Sequence, residues 1–536
     1  MLEIDNWISI TPFPPLRREA HFGNRVVKCY TNRPNDCTVL LSESVQRCPH
    51  KEAVVCDNVR ITYSQLDQLT NTVCVSLRKA GVEAGDRVAL LMENSAEYVV
   101  YIFAILKLGA ISVPLNIKES KRGIEYILRD AQVKCLVCHS SLEDLIPEEG
   151  FLDELISVIL LKGFEDLQMH IDSQDQTIIF PRIDSEHTAF LIYTSGTTGT
   201  PKGATITHLN VLHSVINYQA AMTLGEDDRS IVAVPISHIT GLVALVLTAI
   251  GASASLIVMK SFNADAFVDL AQNERITHTL LVPAMFNLIL MSKKLQFNDL
   301  SLWRVSGYGG SIMPETTLTR IAKNLPNLNI YNCYGATETT SPAAIMPPAY
   351  AETRPSQVGL PVPCADIFIA DRHGCQLPSG ELGEIWIAGP MVIPGYWNNA
   401  EANAAEFFGG YWKSGDVGWI DESGFLAVVD RIKYVINRGG YKIYASEVEG
   451  TLLEHKDVLD CAVVAFNCSV LGERVAAFIC GTADFNAEEV KDFCADRLAE
   501  YKVPEEIVAI DHMPRNANGK IVKRELKELA NERFER

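Results

Sequence analysis

The chain has no run of basic residues; Lys121-Arg122 and Lys293-Lys294 are isolated pairs. Lysine and arginine number 47 against 66 acidic residues, a formal net charge of −19. A nucleic-acid surface needs a local basic excess to displace counterions from phosphates, so no nucleic-acid partner is expected. A small polyanion such as a nucleotide is not excluded, because a few backbone amides and one or two cations can hold it. The N-terminus also lacks a charged segment followed by an apolar one. Residues 1–20 are polar and contain Pro12, Pro14 and Pro15, which excludes a secretory signal. An uncharged run of 19 residues, Gly241 to Met259, is interrupted by Gly251, Ser253 and Ser255. It reads as a buried helix (LVALVLTAI) followed by a buried strand (SLIVM), not as a membrane span. Low-complexity tracts and fixed-period repeats are missing too. A soluble, cytoplasmic protein with no integral membrane segment is the expectation.

The 14 cysteines are scattered singly and read as reduced thiols. Cys135-Leu-Val-Cys138-His139 has the form of a c-type haem attachment site. The segment Gln132 to Cys138 reads as a β-strand, however, and positions i and i+3 of a strand point to opposite faces. A zinc site would need a second ligand pair, and none stands nearby. Both cysteines are therefore assigned to the core.

At 536 residues, the chain is long enough for about three or four compact units. Helical periodicity covers Thr62–Ala80, and Glu97–Leu108 reads as an apolar helix ending before Gly109. Short apolar runs at Arg87–Met92, Ala110–Pro114 and Thr277–Val282 read as buried strands, the last followed by a helix over Ala284–Met291. This alternation predicts an α/β fold with parallel strands covered by helices. From about Pro355 the texture changes to short glycine-punctuated strands at Asp366–Ala370, Gly383–Ala388 and Gly424–Val429, an antiparallel or barrel-like subdomain. A compact α/β unit follows Ile432, with strands at Val458–Ala465 and Val475–Cys480 and a helix at Ala487–Glu500. The predicted division is 1–432, with a subdomain over about 355–432, and 433–536.

The most informative stretch is Ala189 to Gly203, where a buried strand enters Tyr193-Thr-Ser-Gly-Thr-Thr-Gly-Thr-Pro-Lys-Gly203. Its glycines let backbone N–H groups approach an anion, its hydroxyls donate further hydrogen bonds, and Lys202 adds charge. The spacing is not that of a Walker A loop, since Gly203 follows Lys202, nor that of the kinase glycine loop. The physics is that of a triphosphate cradle.

This segment resembles the signature of the adenylate-forming superfamily, which includes acyl-CoA synthetases, luciferase-like enzymes and peptide-synthetase adenylation domains. Further motifs follow in that family's order, and together they cover about residues 30 to 525. The resemblance implies a large N-terminal domain and a small mobile C-terminal α/β domain. It implies binding of ATP by Thr194, Ser195, Gly196, Thr197, Thr198, Gly199 and Lys202. Tyr308-Gly-Gly-Ser-Ile-Met-Pro314 is similar to the adenine-side loop, with Gly309, Gly310 and Ser311, the last standing where alanine is more usual. Tyr331-Asn-Cys-Tyr-Gly-Ala-Thr-Glu-Thr339 resembles the next motif and contains Asn332. There Tyr334 and Gly335 imply an adenine platform, Thr337 an α-phosphate donor, and Glu338 a hard oxygen ligand for Mg²⁺.

Pro235-Ile-Ser-His-Ile-Thr-Gly241 looks like the acyl-pocket motif, implying that His238 gates the pocket. Asp416, in Tyr411-Trp-Lys-Ser-Gly-Asp-Val-Gly418, would accept from both ribose hydroxyls. Arg431 would contact ribose or phosphate, and Lys433 stands at the hinge position. Gly439 and Gly440 lie in the loop that swings to the thiol tunnel, and Lys520, in Pro514-Arg-Asn-Ala-Asn-Gly-Lys520, is the implied catalytic lysine. Asn467-Cys468-Ser469 departs from the usual Pro-Asp turn.

The implied reaction couples a carboxylic acid with MgATP to give acyl-adenylate and pyrophosphate, then transfers the acyl group to a thiol. The pocket candidates His238, Ile239, Thr240, Leu242, Val243, Ala336 and Pro342-Ala-Ala344 hold no lysine, arginine or aspartate. An apolar monocarboxylate, fatty or aryl, is therefore expected. Gly395-Tyr-Trp397 and the C-terminal domain resemble free-standing CoA ligases, which makes coenzyme A the expected acceptor. Transfer to a separate carrier protein, a luciferase-like oxygenase and a nucleotide sensor are the alternatives, and a homodimer is left open.

Overall fold

The computed structural model describes residues 7, 11–147, 157–168, 179–195, 200–311, 313–515 and 521–534. Short, wholly buried apolar runs form the centres of two largely parallel sheets, as expected for strands covered on both faces. The six-stranded sheet has the order Pro201–Thr207, Thr188–Ser195, Ile111–Pro114, Arg87–Leu91, Cys135–His139, Ser157–Leu161. All its pairings are parallel except the first, an antiparallel hairpin. The nine-stranded sheet runs Leu360–Pro361, Ala344–Ile345, Asn329–Tyr334, Val305–Tyr308, His278–Leu281, Arg229–Val232, Ser255–Val258, Glu52–Cys56, Val59–Thr62. Its central strands are parallel and its margins antiparallel.

The helix Ala96–Lys107 has buried residues on every side because it touches both sheets, contacting Ile111–Pro114 of one and Glu52–Cys56 of the other. Thr62 caps the helix Tyr63–Lys79 through a reciprocal pair with Gln65, which fixes that start at the predicted place. The uncharged run reads as predicted in outline. It forms the helical segments Thr240–Leu247 and Thr248–Gly251, then the strand Ser255–Val258. The first of these is π-helical, a rare geometry frequent at functional sites. Among the described residues, no helix is long and apolar enough to cross a membrane.

Cys135 faces the main core and Cys138 the core on the other side of its strand, as the strand period demands. All 14 cysteines are free. Cys375 is exposed, and Cys468 is half-buried, its thiol held below the ordinary range by the backbone N–H groups of Leu471 and Val470.

The glycine-punctuated region forms an antiparallel sheet of Asp366–Ala370, Gly383–Ala388, Phe407–Phe408, Tyr411–Ile420 and Leu426–Arg431. Its last strand starts later than the sequence suggests. Gly424, at φ +83°, belongs to the preceding turn, where Asp421 accepts from Ser423 N and Phe425 N.

The C-terminal residues form a sheet of Tyr441–Ile443, Ile436–Arg438, Gly472–Gly481, Val458–Cys468 and Glu506–Ala509. Alternate residues separate cleanly. Cys461, Val463 and Ala465 pack with the helices Ala445–Leu453 and Ala487–Ala495, while Ala462, Val464 and Phe466 pack with Lys523–Phe534. The helix after Ala487 is shorter than predicted. It ends at Ala495, where Arg497 N turns back to Cys494 O and the chain leaves toward Pro504. A hairpin absent from the sequence reading, Leu16–His21 with Arg25–Tyr30, precedes the α/β region.

Candidate active site

Parallel sheets place the loops that follow their strands at one end, and ligands bind there. The segments singled out in the sequence follow such strand ends. The glycine and threonine loop follows Thr188–Ser195, the His238 segment follows Arg229–Val232, Gly309 follows Val305–Tyr308, and Gly335 follows Asn329–Tyr334. The first belongs to the six-stranded sheet and the others to the nine-stranded one. Asn116, just beyond the strand end at Pro114, joins the two sets, its Nδ2 lying 3.2 Å from His238 Nε2. Asn94 braces the His238 segment from beneath. Its amide nitrogen donates to Val234 O at 3.0 Å and its oxygen accepts from Ile236 N at 2.8 Å.

The antiparallel pair Thr188–Ser195 and Pro201–Thr207 sets Lys202 opposite Thr194 and Pro201 opposite Ser195. Gly196, Thr197, Thr198 and Gly199 lie outside the described residues, as does Lys520. Lys202 pairs with Glu406 and lies 5.1 Å over the Tyr396 ring. The Tyr396 hydroxyl sits 2.6 Å from Glu406 Oε2 and 2.9 Å from Glu338 Oε1. Glu338 and Tyr396 are both buried. Burial pushes the Glu338 carboxyl up, against hydrogen bonds from its own backbone and from Tyr396. One hydroxyl proton cannot serve two carboxylates, so negative charge is in excess here. That surplus of hard oxygen ligands fits a divalent cation at Glu338. Thr337 opens the short turn Thr337–Thr339 beside it and is half-buried.

A second polar cluster lies on Asp416, which is buried. Tyr334 Oη donates to its Oδ2 at 2.7 Å, and Arg431 Nε meets its Oδ1 at 3.0 Å. Asp416 N donates to Ser414 Oγ, whose hydroxyl donates to Ile385 O at 2.7 Å. Both carboxylate oxygens of Asp416 are thus aimed by neighbours. Asn332 lies on the strand ending at Tyr334, in register with Tyr308.

The profile of the AMP-binding enzyme family matches residues 41–397, and that of the AMP-binding enzyme C-terminal domain matches 447–520. This chain belongs to the AMP-binding enzyme family. It is a member of the adenylate-forming superfamily of AMP-dependent ligases. It is 31% identical over 486 residues to a 2-succinylbenzoate–CoA ligase of Bacillus cereus, spanning 90% of this chain and 97% of the relative. It is likewise 31% identical over 490 residues to an indoleacetate–CoA ligase of Aromatoleum aromaticum, spanning 90% and 95%. An o-succinylbenzoate coenzyme A synthetase of Bacillus subtilis, solved with ATP and magnesium ion, superimposes with TM-score 0.81 at 28% identity, covering 91% of this chain and 99% of that one.

Two adjacent glycines of this AMP-binding enzyme are required, Gly309 by its packing and Gly310 by its backbone conformation. A Cβ at Gly309 would lie 2.6 Å from Cys333 O on the neighbouring strand, and Gly310 has φ +82°. Ser311 is exposed beside them. Gly309→Ala is expected to lower unfolding stability by about 1–3 kcal/mol, the usual cost of overpacking. Gly225→Ala, with no atom within 4 Å of its Cβ, should leave the unfolding midpoint unchanged. Equal midpoints for the two variants would contradict the packing argument.

Gly335 is also close-packed, a Cβ there standing 3.0 Å from Thr339 Oγ1. Leu242, Val243, Ala343 and Ala344 are wholly buried, whereas His238, Thr240 and Ala336 are half-buried. Lys433 is exposed, its Nζ 5.0 Å from the Tyr434 ring. Gly439 and Gly440, at φ +58° and +95°, form the two-residue turn between Ile436–Arg438 and Tyr441–Ile443. Sequence reasoning missed Asn94, Asn116, Glu406 and the part played by Tyr396. Only Tyr396 had a signal, its place in Gly395-Tyr-Trp397.

Proposed function

We propose that this enzyme activates an apolar aryl monocarboxylic acid with ATP and transfers the acyl group to coenzyme A, releasing AMP and pyrophosphate. The observation that supports this reading is the convergence of the Glu338–Tyr396–Glu406–Lys202 cluster and the Tyr334–Asp416–Arg431 cluster around the strand ends. One has the charge pattern for a metal-bound polyphosphate, the other a bidentate acceptor suited to two ribose hydroxyls. The aryl preference rests on the acids named for the relatives, and the uncharged pocket candidates agree with it. The fatty-acid half of the sequence expectation has weaker support, a fatty acyl CoA synthetase of Mycobacterium tuberculosis that superimposes with TM-score 0.74 at 26% identity.

In this reading Tyr334 offers its ring to adenine and Thr337 donates to the α-phosphate. Gly309, Gly310, Ser311, Asn332 and Gly335 shape the nucleotide's bed. Glu338 would hold Mg²⁺, which supplies positive charge at the phosphates. His238 gates the acid pocket, its Nε2 3.2 Å from Asn116 Nδ2, while Asn116 Oδ1 accepts from Lys118 N at 2.9 Å. Lys520 bridges the attacking carboxylate and the α-phosphate, an electrostatic and positioning role. Residues 1–432 and 433–536 form two domains with Lys433 at the hinge, and the turn at Gly439-Gly440 approaches the site for the thiol step.

Pyrophosphate release with MgATP and a panel of aliphatic and aryl acids, with and without CoA, tests the reading. Release that needs an aryl acid and turns over only with CoA is expected. A single turnover despite CoA, relieved by a phosphopantetheinylated protein, would favour a carrier-protein acceptor. Release with long-chain acids alone would overturn the aryl assignment.

A further inference from the structure

Two segments far apart in sequence are tied to each other beside the phosphate loop. Residues 395–397 run along the strand Pro201–Thr207. Thr205 N donates to Gly395 O at 3.1 Å, Trp397 N donates to Gly203 O at 2.7 Å, and Tyr396 bridges Ala204. The short helix Ala400–Glu406 is then folded back onto Tyr396. Asn399 caps it by accepting from Ala402 N, and Asn403 grips the Tyr396 backbone, accepting from its N at 2.6 Å and donating to its O at 3.0 Å. Glu406 is three residues beyond Asn403, so both lie on one helix face, toward Tyr396.

Glu406 therefore arrives with both oxygens directed. One takes the Lys202 ammonium, whose side chain is only 11% exposed, and the other takes the Tyr396 hydroxyl at 2.6 Å. Across that hydroxyl lies Glu338, whose backbone oxygen accepts from Ile393 N at 3.0 Å. The carboxylate thus joins the arm after the phosphate loop to the turn that carries Glu338.

We propose that Glu406 is a positioning residue for nucleotide capture. It holds Lys202 at the root of the phosphate loop and the Tyr396 hydroxyl against Glu338, so both charged groups are placed before MgATP arrives. An ammonium held by a charge-assisted hydrogen bond loses less freedom on meeting phosphate than one swinging on a free four-carbon stem. This inference rests on the nucleotide-activating reading of the site.

The test uses the full-length protein, titrated calorimetrically with Mg²⁺ and an α,β-methylene ATP analogue, with steady-state assays giving separate KM values for ATP, acid and CoA. Glu406→Gln keeps the side chain's shape and is expected to weaken analogue binding about tenfold, the loss of one charged hydrogen bond. KM for ATP should rise in parallel while those for acid and CoA stay at wild-type values. Glu406→Asp, which keeps the charge, should recover part of the loss. Adding Lys202→Met to Glu406→Gln should cost less than the two single effects combined, because they share one contact. Wild-type affinity in Glu406→Gln would overturn the proposal. So would an equal rise in all three KM values with a lowered unfolding midpoint, which marks a merely structural residue. If the wild-type protein fails to bind the analogue, the nucleotide reading itself falls and this inference falls with it.

Discussion

Lys520→Ala is expected to slow acid-dependent pyrophosphate release by about 10²- to 10³-fold, the range seen when one preorganised donor is lost. The thioester step, started from supplied acyl-adenylate and CoA, should survive largely intact. The reason is charge accounting. A carboxylate must approach a polyphosphate, and each negative group repels the other. Among the described residues of the two clusters, Lys202, paired with Glu406 at the foot of the phosphate loop, and Arg431, paired with Asp416, serve the nucleotide in this reading and leave the incoming carboxylate without a cation. A further positive group is needed at the point of attack, and Lys520 has the length and sequence position for it. Lys520 lies outside the described residues, but the chain on either side is well tied. Arg515 bridges Ile521, Val522 N donates to Pro514 O at 2.8 Å, and Arg515 pairs with Asp460 at 2.5 Å. Equal slowing of both half-reactions, measured separately, would remove Lys520 from this role.

Lys433→Pro should do the reverse. Adenylation is expected to stay near wild type while thioester formation drops by about two orders of magnitude, the penalty for a misplaced reacting group. The buried core that includes Leu426 ends there, and another begins at Ile436. Between them lies the single turn Ile432–Tyr434, exposed at Lys433. Contacts across the junction include Ser446 N to Asp430 Oδ2 at 3.0 Å and the Ser446 hydroxyl to Val429 O. A proline at 433 fixes its own φ and restricts residue 432, so it would hold the turn in one conformation. Stopped-flow measurement of the two half-reactions decides the matter. Normal overall turnover in the variant would place the hinge elsewhere.

Much of this architecture was legible because its cause is local. Arg87–Leu91, Ile111–Pro114 and His278–Leu281 are apolar runs too short for helices, and each forms a strand within a residue or two of its predicted bounds. The paired cysteines at 135 and 138 fell on opposite faces for the same reason, a period of two. The π-helical turn after Ile239 was not legible, because an all-apolar run carries no periodicity to distinguish one helix type from another. The charged strand Leu16–His21 was missed because its pairing with Arg25–Tyr30 leaves it largely outside the core. In the candidate site, the glycine loops announced themselves through composition. Glu406 could not, since it meets Lys202 across 204 positions and nothing near either residue signals the other.

Of the protein's free thiols, Cys375 is exposed and Cys468 is half-buried with its thiol held below the ordinary range, and they stand on opposite sides of Lys433. The thiolate is the reactive form, so a maleimide added near neutral pH would favour these two positions over thiols sealed in the cores. The native chain thus carries attachment points for a donor and an acceptor dye on either side of Lys433, with the half-buried Cys48 and Cys480 as slower sites. Energy transfer between the two dyes, followed as ATP, acid and then CoA are added, would test whether the two sides of Lys433 move relative to one another on a sequence with no residue changed.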